Sequence, residues 1–297
     1  IKHLVQTALN TIVFPLPPLS EQTRIVDAVN RLLPYLHSYD RAEQKLSALN
    51  TGFPEALKKS ILQEAVQGKL VSQDPSDEPA EALLGRIRAE KQRLIKEGKI
   101  KKDKHESVIF RRDNSHYEKL NGVERCIDDE LPFEIPPQWC WIRFESTITL
   151  LSGTDFAPDE YNSAGKGIAY ITGASNIVDS QILVNRWTET PRQIAHAGDV
   201  LLVCKGSGYG KTVICNIAQA HIARQIMAVQ KSDLLDMQYV KLFLDSSFDL
   251  LKAKGQGVIP GIDRTSVLHL LFPLPPLAEQ HRIVQRIEEL LPLVKGL

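Results

Sequence analysis

The stretch FPLPPLSEQTRIV, residues 14–26, returns as FPLPPLAEQHRIV at residues 272–284. Over Phe14–Leu36 and Phe272–Val294 the copies agree at 14 of 23 positions, at a constant offset of 258 residues. Chance does not produce such agreement. A solenoid repeat is far shorter, roughly 20–50 residues, whereas this offset has the size of one domain plus its connector. The flanks agree more loosely: Ile1 aligns with Ile259, Leu4 with Ile262, Thr7 with Thr265, and Ile12-Val13 with Leu270-Leu271. The expectation is that residues 1–13 are the tail of one recognition unit and that a second unit follows whole. The chain begins without Met, as a fragment would.

Each copy has the same internal logic. Three prolines in Phe14–Leu19 exclude helix and suit an extended edge or a polyproline segment. Ser20 is expected to cap a helix, with Glu21 in its first turn. Apolar residues then recur at Ile25, Val29, Leu32, Leu36, Tyr39, Ala42, Leu46, Leu49 and Phe53. Their steps alternate four and three almost without fault, the seam of a coiled coil. Pro34 is expected to kink the helix, and Gly52 with Pro54 to mark a second irregularity. The helix resumes over 55–67 with Leu57, Ile61, Ala65 and Val66 inward, and Gly68 stops it. Residues 14–68 therefore read as a long helical arm that pairs with a second one. Packing onto its own domain is the alternative.

Residues 69–130 read as a connector. Asp74-Pro75 and Glu78-Pro79 lead into a helix, Ala80–Glu97, closed by Gly98. From Arg86 to Arg125 there are 13 Lys/Arg against 7 Asp/Glu. Such a run is usually a solvated face or a loose, partly disordered arm. A basic arm can also gain affinity for phosphate by counterion release. LPFEIPP, Leu131–Pro137, reads as the entrance to a domain spanning 131–271. Short β-type runs follow at Trp139–Phe144, Gly167–Ile171, Ile182–Val184, Val200–Cys204, Thr212–Ile217 and Ile226–Gln230. One helix, Met237–Lys254, buries Val240, Phe243, Leu244, Leu250 and Leu251. The second box, residues 272–297, starts another long helix. The fold class is thus α+β: a mixed α/β domain joined to long helices that pair antiparallel as a coiled coil.

Composition narrows the function without choosing it. The 297 residues suit one or two domains, and 43% hydrophobic content is ample for a core. Net charge is zero, so bulk charge makes no case for nucleic acid. Cys126, Cys140, Cys204 and Cys215 show no CxxC pair and no metal spacing, and read as buried reduced thiols of a cytoplasmic protein. No signal peptide and no bilayer-length apolar run is present. The eight histidines are scattered without an HExxH motif.

One motif invites chemistry. GSGYGKT, Gly206–Thr212, resembles a phosphate-binding loop, but the pattern requires glycine at position 205 and the residue is Lys205. A glycine-rich turn between two strands and a DNA-contacting turn remain as readings. The second draws on charge segregation: no acidic residue lies between Asp199 and Asp233, while Lys205, Lys211, Arg224 and Lys231 do. The span Gln138–Leu271 balances 12 basic against 12 acidic residues, so the positive charge is localised. Glycines would let backbone amides approach a phosphate as an anion-binding nest. The Asp/Asn-Pro-Pro-aromatic tetrapeptide of adenine methylation is absent. Glu97-Gly98-Lys99 with Asp77 is a weak nuclease pattern at a helix end. No catalytic constellation stands out.

The doubled FPLPPLxEQxRIV box, each copy launching a long helix, resembles the specificity subunits of type I restriction-modification enzymes. So do Leu57–Leu84, Arg88–Lys102, the entrance LPFEIPPQWCWIRF and Gly198–Asn216. The resemblance implies a subunit with two target-recognition domains, each followed by a conserved helix, the helices packing antiparallel as a spacer. It implies that each such domain reads one half of a split double-stranded DNA target. It also implies that two methyltransferase subunits dock, that motor-nuclease subunits can join, and that the subunit itself catalyses nothing. S-adenosylmethionine, ATP and Mg would sit on partner subunits, with no cofactor or metal on this chain. Only one complete recognition domain is present here, as in a half-subunit that dimerises through its helices or a piece of a longer subunit. Candidate phosphate contacts are Lys205, Ser207, Lys211 and Thr212. Candidate base or groove contacts are Tyr209, Asn176, Arg224, Gln225 and Gln256, with Arg264 and Lys166 added. A scaffold whose α/β domain binds protein, and a nucleotide hydrolase, are the opposing readings.

Overall fold

A computed structural model describes residues 13–100, 107–206, 208–254 and 261–295. Ser207 and Gln256, and nearly all of the expected tail 1–13, lie outside the described residues. The chain divides into two units, residues up to Ala56 and residues from Leu57. Helix α1 runs from Leu19 to Val66, 48 residues, without interruption at Pro34, Gly52 or Pro54. A proline costs a helix one donor and crowds one carbonyl, yet the break expected at position 52–54 does not occur. The helix begins one residue before Ser20, so that serine is not its cap. Apolar residues of the seam in the first unit, from Ile25 to Phe53, are solvent-exposed.

The second unit holds the α/β architecture. The last turns of α1 bury Leu62, Ala65 and Val66, and α2, Ala80–Lys96, buries Leu83, Leu84 and Ile87 in the same core. The connector is more ordered than its charge suggests. It contains an antiparallel three-stranded sheet: β1 (Ser107–Arg112), β2 (Ser115–Leu120) and β3 (Val123–Cys126). Two tight turns make it, with positive φ at Asp113, Asn114, Asn121 and Gly122. These residue types tolerate that backbone region, and Asn-Gly is a strong hairpin signal. The sheet is fastened by Glu118. This buried carboxylate accepts from Ser107, Arg125 and both Nε and Nη2 of Arg143, the Arg143 bonds at 2.8 Å. The Arg143 guanidinium, foremost, draws its pKa down to about 2.

Beyond the entrance come β4 (Cys140–Arg143), β5 (Leu150–Ser152), β6 (Ile168–Ile171), β7 (Ile177–Val178), β8 (Gln181–Ile182) and β9 (Trp187–Thr188). Then follow β10 (Ile194–His196), β11 (Val200–Val203), β12 (Thr212–Ile214), β13 (Gln219–Ile222) and β14 (Ile226–Val229). Strands β12-β11-β14-β5 form one four-stranded sheet and β10-β13-β6-β9 another. VLLV in β11 and IMAV in β14 are buried throughout because both faces are covered. Val200, Leu202, Met227 and Val229 join the core that holds the helices, while Leu201, Val203, Ile226 and Ala228 join a second core.

The expected single helix over 237–254 is two: α3, Met237–Ser246, and α4, Phe248–Lys254. Asp236 caps α3 through the backbone N–H groups of Gln238 and Tyr239, and Ser247 interrupts the run. A short α5, Arg264–Leu268, leads into β15, Leu271–Leu274, which pairs antiparallel with β4 and places Pro273 opposite Trp141. The proline-rich box is therefore a strand here. Helix α6, Leu277–Lys295, buries Ile283 and Ile287. Phe272 packs among Phe144, Tyr239 and Phe243 at ring-centroid distances of 5.1, 5.9 and 4.7 Å.

Candidate nucleic-acid interface

The turn between β11 and β12 carries Lys205, Tyr209 and Lys211. Gly206 and Gly210 adopt φ near +90°, which β-carbon-bearing residues avoid. At Gly210 a β-carbon would collide with the Phe248 ring, and at Gly208 with Ala174. Those two glycines are thus explained by packing. The backbone N–H groups of Tyr209, Gly210 and Lys211 donate to Gly206, Val203 and Gly208 at 3.1, 2.7 and 3.2 Å. These three amides are spent inside the turn, so the expected nest is not formed by them. What the turn presents is side chain: Lys205 and Lys211 are exposed, and neither forms an ion pair among the described residues. Tyr209 leans on Phe248 at 5.7 Å between ring centroids.

The neighbouring 222–226 turn and the 173–176 turn share this edge. Gln225 is exposed, and its side-chain oxygen lies where β-carbons on Gly173 and Gly206 would point. Arg224 is exposed but pairs with Asp155, 3.1 Å from Nε to Oδ2. Ser175, which the sequence did not single out, is exposed on the turn whose Ala174 meets Gly208. Only spatial adjacency reveals it.

Other candidates go elsewhere. Asn176 is fully buried, accepting from Thr172 and donating to Leu183 and Asn185. It shapes the turn from inside instead of facing a ligand. Thr212 is buried and its hydroxyl donates to Asp245, which also pairs with Lys241. Arg264 donates to the Leu150 carbonyl at 2.6 Å and to Ser152 at 3.2 Å, bracing β5. Lys166 sits on a separate loop organised by Asn162, which accepts from the Lys166 backbone N–H at 3.1 Å. Asp77 and Glu97 of the weak nuclease pattern are held by different bases, Arg282 and the Arg93/Lys99 pair. No cluster of three or more metal-ligating side chains occurs among the described residues.

The thiols follow burial. Cys204 and Cys215 are buried, with pKa raised by desolvation, and the half-buried Cys140 is pushed up to about 12 for the same reason. Cys126 is exposed, against expectation. No helix among the described residues is long and apolar enough to cross a membrane.

Comparison with known proteins gives a consistent answer. No family model matches. The chain is 32% identical over 251 residues to the type I restriction enzyme EcoAI specificity subunit of Escherichia coli, covering 80% of this chain and 40% of that protein. It is 32% identical over 253 residues to the EcoEI specificity subunit of the same organism, covering 79% and 40%. The chain therefore spans well under half the length of these relatives. Among solved structures, the HsdS subunit from Thermoanaerobacter tengcongensis matches with a TM-score of 0.54 at 22% identity, over 95% of this chain and 54% of that one. A chain of a type I R-M system solved for its assembly and conformational transition matches at 0.59 with the same identity and coverage. These likenesses carry the fold: a mixed α/β domain with long helices.

Proposed function

This chain is homologous to the specificity subunits of type I restriction enzymes, and we propose that it reads one half of a bipartite DNA target and docks methyltransferase subunits. The observation that carries the reading is the 32% identity over 251 residues to the type I restriction enzyme EcoAI specificity subunit. On this reading the chain is a non-catalytic cytoplasmic component, and the methyl donor and nucleotide chemistry belong to its partners. The domain following Leu131 is the reader, and residues 14–68 with 272–297 supply the spacer helices. Lys205 and Lys211 approach backbone phosphates, while Tyr209, Gln225 and Ser175 lie on the same edge, where groove contacts are made. Lys166 adds a DNA contact from a second loop, and Arg224 requires release from Asp155 before it reaches DNA.

The exposed apolar seam of α1 supports the pairing of helices, because an apolar row on a 48-residue helix gains by meeting another. At about 1.5 Å per residue, a helix of that length spans roughly 72 Å, ample against the ~34 Å of one DNA turn. A reader touching about three or four base pairs, each worth roughly 1–3 kcal/mol, selects no rare site alone. Two readers at fixed separation do. The second helix comes from a second copy of this chain or from a longer chain.

The test is a map of adenine methylation in DNA exposed to the chain co-purified with its methyltransferase. A split motif with a fixed gap is expected. A scaffold would enrich no motif in a random duplex library, and that outcome would sink the proposal.

A further inference from the structure

Four consecutive side chains at the start of α6 fasten that helix to three places in the second unit: the segment around Gln73 and Asp77, Trp139, and Asp236. Glu279 is fully buried. One carboxylate oxygen accepts from Trp139 Nε1 at 2.8 Å and the other from Gln73 Nε2 at 2.5 Å. Gln280, also fully buried, accepts from the backbone N–H of Asp236 at 2.9 Å and donates to the Pro275 carbonyl at 3.0 Å. His281 Nδ1 lies 2.7 Å from Asp236. Arg282 donates twice to Asp77, at 3.1 and 2.5 Å.

The partners of Glu279 give its position meaning. Gln73 lies in the segment that leaves α1, and Trp139 immediately precedes β4, the first strand of the reader. Glu279 is in the first turn of α6. One carboxylate thus joins the segment that follows one long helix, the entrance of the reader and the start of the last helix. Apolar packing among Ile283, Ile287 and the core is strong but non-directional, so it tolerates small rotations. A buried acceptor with two assigned donors does not, because any rotation that breaks a bond leaves a desolvated donor without a partner. In some proteins a buried polar group selects one geometry among several that apolar packing alone would accept, and the three-way clasp of Glu279 has the form of such a device.

We propose that Glu279, clasped by Trp139 and Gln73, is a positioning residue that locks the orientation of the reader on α6, and so sets the gap tolerated between the two halves of the target. It touches no DNA. The consequence for the gap rests on the split-target reading above, while the lock itself does not.

Two measurements separate these. In the full chain carrying Cys126→Ser, spin labels at Glu189→Cys on the reader and Glu288→Cys on α6 report their distance distribution. A single narrow distribution is expected with Glu279 in place, and a broadened or shifted one with Glu279→Ala. Trp139→Phe, which keeps the ring and deletes the donor, moves it in the same direction and serves where Glu279→Ala does not fold. Glu279→Gln restores the narrow distribution, since its amide accepts from Trp139 and can donate to a turned Gln73 amide. An unchanged distribution in both disruptive variants overturns the lock.

The second measurement offers the co-purified methyltransferase a duplex library in which only the gap between half-sites varies. Discrimination against gaps one base pair longer or shorter should fall about tenfold in the disruptive variants, with the half-site bases unchanged. Intact gap discrimination, or equal loss of half-site reading, overturns the functional part. Absence of any motif with the unaltered chain would instead count against the split-target reading, and the distance measurement would still decide the lock.

Discussion

Phe14 is 73% exposed and Phe272 is 0% exposed, although each opens the hexapeptide FPLPPL. The contrast continues through the boxes: Leu16 is 77% exposed against 0% for Leu274, and Ile25 49% against 0% for Ile283. Identical side chains cannot differ in their affinity for water. What differs is what the chain brings to them. The second copy meets β4, α3 and the segment that follows α1, whereas the first copy leads into a helix whose apolar row faces solvent. Exposed apolar rows of that length mark surfaces built for a partner. A motif that is finished in one place shows what the other lacks.

The sharpest test of this comparison is a matched pair of truncations. Phe272→Ala should destabilise the chain by about 3–5 kcal/mol, because it empties a site among three aromatic rings. Phe14→Ala should change the stability of the isolated chain by less than about 0.5 kcal/mol. Denaturant unfolding reads both, and comparable losses would mean that the first box is covered after all. A smaller contrast is expected at the glutamines. Gln280→Ala removes two buried bonds and should cost about 1–3 kcal/mol, while Gln22→Ala removes a half-exposed one and should cost less.

A pH profile sharpens the comparison further. Burial raises the Glu279 carboxyl above its ordinary 4.5, outweighing the bonds from Trp139 and Gln73 and the nearby Arg282 charge. An acid raised in the folded state holds its proton longer than in the unfolded chain. Its contribution is therefore fully present below about pH 4.5 and is lost as pH rises through the folded value. Relative to Glu279→Gln, the parent chain should lose stability across that interval. A constant difference between the two across that range would refute the burial argument. The smallest effect is expected at the seam. Leu32→Ser with Leu36→Ser should leave the melting of the isolated chain almost unchanged while abolishing association through α1, read as mass by light scattering of the chain or its complex.

Much of the fold was legible because its signals are local. The three-four spacing from Ile25 to Phe53 announced the long helix, and the apolar runs VLLV and IMAV announced strands buried on both faces. The small sheet of residues 107–126 was masked by its charge: Arg111, Arg112 and Lys119 read as a loose arm, although Asn121-Gly122 signals a hairpin. The helix break at Ser247 carries no strong breaker. At the candidate interface, Lys205 and Lys211 were identified by their segregation from acidic residues, and both are exposed. Asn176, Thr212 and Arg264 were chosen for being polar and near turns, yet their bonds are internal. Polarity in sequence does not say whether a group spends its hydrogen bonds inward or outward.

The boxes divide the two kinds of information cleanly. Gln22 donates to the Pro17 carbonyl at 2.8 Å, and Gln280 to that of Pro275 at 3.0 Å. The backbone N–H groups of the same glutamines donate to Pro18 and Pro276, each at 3.0 Å. These bonds span four or five residues, so the sequence alone determined them, along with the helix each box launches. Whether the glutamate beside each glutamine is solvated, as Glu21 is, or sealed against Trp139, as Glu279 is, was decided only by tertiary structure. The physical reason is distance along the chain: Trp139 and Gln73 lie 140 and 206 residues from Glu279, and no local pattern records which segments folding will bring there.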